Sequence, residues 1–207
     1  MNNLAYQEGY GLSNILIIRH GEPVCMDQPK ISWKNIKSSL NGMDAPSLIS
    51  LIHDLYALNK ENKEFLQGRV GGEAAFAGLR EDAARKIEKE FFPDRGFGRA
   101  RIAPVKKAIT GYKKATGDPI GTADLTLLFI EQFVKYVGEY GGEAESKIDA
   151  LIVAMRELLK ILETCPAIID VLLVEERLAR IMVDASDIGY GVEFEISDLM
   201  DGIEALD

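Results

Sequence analysis

Between Ile31 and Leu206 the apolar residues of this chain recur at helical spacing, and glycine or proline interrupts run after run. That rhythm commits most of the 207 residues to a series of amphipathic helices. The clearest stripe is Ile148, Leu151, Ile152, Met155, Leu158, Leu159 and Leu162, within a helix expected over 143–163. Residues 122–140 carry the most apolar helix. There Asp124, Glu131, Lys135 and Glu139 fall within a polar wedge of about 80°, so the helix should be covered on at least two sides. Glu131 is expected to pair with a basic residue of the helix over 106–114.

Further helices are expected over 32–41, from Asp44 to 58, and over 61–70, 73–92, 104–116 and 166–188, with a short last one from Ser197. Asp44 with Pro46 has the pattern of a capping carboxylate followed by a first-turn proline, and Gly117-Asp118-Pro119 reads as a turn followed by a helix start. Pro93, Gly96 and Gly98 mark a loop over 93–103. The breaks downstream of Thr122 are short, which makes successive helices neighbours. The fold class is therefore all-α, an antiparallel multi-helix bundle or a short helical superhelix. No fixed repeat favours a regular solenoid.

The first residues differ. Ile15 to Ile18 is the one strand-like run, with nothing obvious to pair with, and glycines and prolines surround it. The division expected is an irregular N-terminal extension over 1–29, with at most one short strand, and a helical domain over 30–207.

Charge narrows the functional classes. The net charge is −9, yet residues 80–114 carry 11 basic and 5 acidic groups, while residues 115–207 carry 6 basic and 20 acidic. An overall acidic chain disfavours tight nucleic-acid binding. The basic segment still offers one candidate anion site. Arg95, Arg99 and Arg101 precede a helix start at Pro104, and Lys106, Lys107, Lys113 and Lys114 follow on that helix. Arginines near a helix N-terminus attract phosphate and carboxylate, and Phe97 and Tyr112 offer stacking surfaces. The plainer reading of the same residues is a solvated basic face, or one paired with the acidic half.

No apolar run approaches the roughly 20 residues of a membrane span. The N-terminus lacks the pattern of a secretory signal. Cys25 and Cys165 form neither a CxxC pair nor a zinc spacing, so a cytoplasmic location with reduced thiols is expected. His53 lies beside Asp54 on an amphipathic helix with no HExxH or ExxH arrangement. Glu193, Glu195, Asp198 and Asp201 lack the glycine and ligand spacing of a calcium loop. No metal, cofactor or catalytic set is assigned.

Two resemblances add to this. ILIIRHGEP, Ile15 to Pro23, is similar to the strand and Arg-His-Gly turn of the histidine phosphatases. That resemblance implies His20 as a phosphoryl-accepting nucleophile and Arg19 as a phosphate ligand. It covers nine residues. The family also requires a second, late histidine and a parallel sheet, and His53 is this chain's only other histidine. The body of the chain resembles an uncharacterised bacterial helical family, domain of unknown function 6155. The residues that carry the likeness are SLISLIHDLYALNKENKEFLQGRV, FFPDRGFG, KKAITGYKKATGDP and IGYGVEFEISDL, in that order between Ser47 and Leu199. This resemblance implies a small helical bacterial protein and supplies no activity.

The expected function is a non-catalytic protein-interaction module with a protein partner and no membrane. The alternatives are an anion or nucleic-acid binder through 95–114, and a phosphohydrolase using Arg19 and His20.

Overall fold

Asp118 shows how local sequence sets the architecture. Its carboxylate accepts hydrogen bonds from the backbone N–H groups of Ile120 and Gly121, at 2.9 and 3.0 Å, and Pro119 occupies the first helical position. This start launches α6 (Pro119–Tyr140), which buries residues around most of its circumference. In the computed structural model, which describes residues 16–19, 22–25, 31–141, 145–186, 188–189 and 191–206, the chain is an all-α multi-helix bundle.

The chain divides into two units, Met1–Ile52 and His53–Asp207. The first holds a two-stranded hairpin, β1 (Leu16–Arg19) and β2 (Glu22–Cys25), followed by α1 (Trp33–Asn41) and the start of α2 (Ala45–Leu58). The strands are antiparallel, with Leu16 opposite Cys25 and Arg19 opposite Glu22. The strand-like run is therefore not alone, as the sequence suggested. Only His20 and Gly21 separate Arg19 from Glu22, and a two-residue connection containing glycine is hairpin spacing. Pro23 is tolerated because a two-stranded ribbon consists of edges.

The second unit continues with α3 (Lys60–Gly71), α4 (Glu73–Phe91), α5 (Ile102–Thr116) and α6. Then come α7 (Glu145–Thr164), α8 (Ile168–Leu172), α9 (Val174–Ala185) and α10 (Val192–Glu204). Helix α6 packs against α4, α5, α7, α8 and α9, as its apolar circumference requires. Its core side is aromatic. Phe129 lies 6.0 Å from Phe91 and from Phe133, ring centre to ring centre, the first pair stacked and the second edge-on.

Three expectations change. The helix expected over 166–188 is two helices, because Leu173 adopts a left-handed conformation (φ 50°, ψ 50°). The break turns the chain so that Ile168 and Val174 are both buried. The last helix begins at Val192 rather than Ser197. Gly191, at φ 73°, supplies its N-cap, and Glu193 and Glu195 stand in the first turn, where carboxylates suit the helix dipole. Glu131 pairs not with the 106–114 stretch but with Arg177 of α9. Asp124 and Glu131 are seven residues apart on one face of α6, and Arg177 bonds both.

Candidate functional site

The basic segment splits into two places: a tight loop between α4 and α5, and a groove along α5.

The loop is held by backbone. The N–H groups of Arg99 and Ala100 both donate to the carbonyl of Glu90, at 2.9 Å each, and the Tyr136 hydroxyl donates to the Gly98 carbonyl at 3.1 Å. Gly98 is packed so closely that a Cβ there would lie 1.8 Å from the Phe91 carbonyl oxygen. Arg101 closes the loop with two hydrogen bonds to Glu90, Nε to Oε2 at 2.9 Å and Nη2 to Oε1 at 2.7 Å. The Glu90 carboxylate holds the Arg101 guanidinium above its ordinary pKa. Arg101 is thus a loop fastener, and Arg95 and Arg99, also exposed, are the loop arginines with no ion-pair partner among the described residues.

This rigid loop presents Phe97 to solvent with 80% of its surface exposed. Its ring meets Tyr140 edge-on at 5.9 Å, Tyr140 meets Tyr136 at 5.0 Å, and Tyr136 meets Phe92 at 6.1 Å. An aromatic row thus runs from the core to the loop tip. Lys135 Nζ lies 5.0 Å from the centre of the Phe92 ring, and Glu139 raises the pKa of the Tyr140 phenol by hydrogen bonding. Tyr112, the other aromatic considered for stacking, is 4% exposed, and its hydroxyl is spent on Asp118 Oδ2 at 2.6 Å. It is a core residue.

The groove lies among α3, α4 and α5 and encloses about 870 Å³. Five lysines line it (Lys86 and Lys89 from α4; Lys106, Lys107 and Lys114 from α5) against three glutamates. Phe65, Pro104, Ala108 and Gly111 give it apolar lining. Each glutamate has a cation: Glu61 has Lys107 at 2.5 Å, Glu64 has Lys86 at 3.1 Å, and Glu90 has Arg101. Lys107, through its hydrogen bond, lowers the pKa of Glu61. Lys106 and Lys114 have no ion-pair partner among the described residues. Lys113 is exposed on α5 outside the groove lining.

Of the seven basic residues singled out from sequence, three meet in the groove, two stand on the loop, Arg101 is tied to Glu90, and Lys113 is apart. Sequence reasoning missed Lys86 and Lys89. Their i, i+3 spacing places them on one side of α4, but only the packing of α4 against α5 makes them part of a site.

The remaining candidates do not assemble. His53 Nδ1 is 3.9 Å from Asp54 Oδ1, with both side chains largely exposed. Glu195 of the C-terminal carboxylates reaches Arg156 at 3.9 Å. No group of three or more potential ligands is placed to hold a metal among the described residues. Among the same residues no helix is long and apolar enough to cross a membrane. Arg19 ends β1, and His20 lies outside the described residues. Compared with protein-family models, with curated proteins and with solved structures, the chain matches none.

Proposed function

We propose that the chain is a helical interaction module that docks a partner protein on the 92–101 loop, with Phe97 as the anchor. The exposure of Phe97 on a backbone-pinned loop carries this reading. Burying a phenylalanine is worth about 1.5–3 kcal/mol, and this fold leaves that gain for something outside itself. An aromatic anchor beside arginines is the usual make-up of an interface hot spot. Arg95 and Arg99, exposed and without an ion-pair partner among the described residues, flank the anchor. They call for a partner surface with an apolar pocket and an acidic rim. A pre-formed loop also limits the ordering cost of docking. On this reading the chain is a cytoplasmic member of the bacterial family it resembles, and that family contributes no activity.

The test is photo-crosslinking in the cells that make the protein, with p-benzoyl-phenylalanine at position 97 or, as control, at the similarly exposed Val183 of α9. The expected result is an adduct of discrete mass from position 97 only, lost when Arg95 and Arg99 are changed to Glu. Equal adducts from both positions, or none from 97, overturn the proposal. Phe97→Ala should leave the fold in place, with a stability change within about 1 kcal/mol, because so little of the ring is buried.

A further inference from the structure

Independently of the loop, we propose that the α3–α4–α5 groove is a binding site for an elongated small organic anion, one that carries a phosphate or carboxylate group at each end of an apolar body. Three observations converge on that class.

The first is the charge left over. The three glutamates of the groove are each matched by a cation, two of these being Lys86 and Lys107. Lys106 and Lys114 remain unmatched, and Lys89 has only the exposed Asp94 at 3.5 Å. An anion entering the groove meets ammonium groups already freed of competing carboxylates.

The second is spacing. Lys106 and Lys114 are eight residues apart on α5, which separates their attachment points by about 12 Å along the helix. A ligand charged at both ends engages both side chains where they stand apart, whereas a single phosphate or carboxylate engages both only if the two flexible stems lean together at added entropy cost. Lys86 and Lys89 face the same space from α4.

The third is the lining between those lysines. Of the lining residues between them, Ala108, Thr110 and Gly111 are uncharged and Lys107 is taken up by Glu61, while Phe65 of α3 adds an apolar wall. Gly111 sits inside a helix, where glycine costs about 1 kcal/mol relative to alanine. A methyl there would meet no protein atom within 4 Å, so packing does not require the glycine. Its effect is to keep the middle of the groove open.

Calorimetric titration of the whole chain at fixed ionic strength tests this with hexane-1,6-bisphosphate, octanedioate, inorganic phosphate and poly-glutamate. At least one two-ended small probe should bind one to one, about tenfold more tightly than inorganic phosphate. Preference between the two identifies the anion as phosphate or carboxylate. Lys106→Gln and Lys114→Gln should each weaken it by about tenfold, and Lys113→Gln, outside the groove, should not. Gly111→Leu fills the open space with a better helix former, so it should abolish binding without lowering the thermal midpoint. Equal weak binding of all probes, tighter binding of poly-glutamate than of either two-ended small probe, or indifference to the lysine and glycine variants overturns the proposal.

Discussion

Arg177 grips Glu131 through two parallel hydrogen bonds, Nε to Oε1 at 2.6 Å and Nη2 to Oε2 at 2.9 Å, and so fastens α9 to α6. Its Nη1 reaches Asp124 at 2.8 Å, so one guanidinium holds two carboxylates on one face of α6. The Arg177 side chain is 16% exposed and that of Glu131 29%, so the pair is only partly screened by water. Glu131→Ala should cost about 2 kcal/mol, below the value for a fully buried pair, because Asp124 still engages the arginine. Arg177→Ala should cost more, since it strands Glu131 and leaves Asp124 with only the more distant Arg80, at 3.7 Å. Urea unfolding of the two single variants and the double variant gives the coupling. Independent, additive losses would contradict a shared clamp.

Gly98→Ala should destabilise the protein by about 3 kcal/mol or more, because the added methyl has no room beside a backbone carbonyl. It should also abolish crosslinking from position 97. Gly96→Ala is the informative companion. Gly96 has φ 77° but open space around its Cβ position, so the loss there should be about 1 kcal/mol of backbone strain. Thermal unfolding of the pair separates steric closure from conformational strain; equal losses would mean the loop is not pinned at Gly98.

Helix existence was legible in the sequence because each apolar stripe reports the direction of the core, whatever lies there. Partner choice was not. The spacing of Asp124 and Glu131 put them on one side of α6 but could not say that α9, rather than α5, would face them. Phe97 and Tyr112 read alike as aromatics among basic residues. Only packing sends Tyr112 inward to Asp118 and leaves Phe97 outside. The groove was half legible, since its α5 lysines form a local run, whereas Lys86, Lys89 and Phe65 join them only through helix packing.

Tyr112 should confer a pH-dependent share of stability. Burial, and then its hydrogen bond to Asp118, push its pKa well above the ordinary 10.0. Below pH 10 the phenol is neutral in both folded and unfolded chains, and its contribution is fully present. Above pH 10 the unfolded chain ionises first, so stability is lost as pH rises further. Tyr112→Phe should cost about 1–2 kcal/mol at pH 8 through the lost hydrogen bond. The gap between wild type and variant should narrow as pH rises from about 10 toward about 11.5, above the ordinary phenol pKa. A gap constant across that range in urea titrations would show that Tyr112 titrates as freely in the folded chain as in the unfolded one.

Leu173 joins α8 to α9 in a left-handed conformation that costs a side-chain-bearing residue about 1–2 kcal/mol. Nothing in the local sequence announces it, since neither glycine nor proline stands at the break. The cost is offset by its neighbours: Ile168 and Val174 both become buried only because the chain turns between them. Leu173 itself is half exposed and gives up little packing. Leu173→Gly should therefore be neutral or stabilising by up to about 1 kcal/mol, relief of strain outweighing the extra freedom of glycine in the unfolded chain. Val174→Ala, one residue on and fully buried, should cost about 1–3 kcal/mol. Urea unfolding of the two variants side by side decides the matter. If Leu173→Gly proved as damaging as Val174→Ala, the break would be held by the leucine side chain and not imposed by the burial of the residues that flank it.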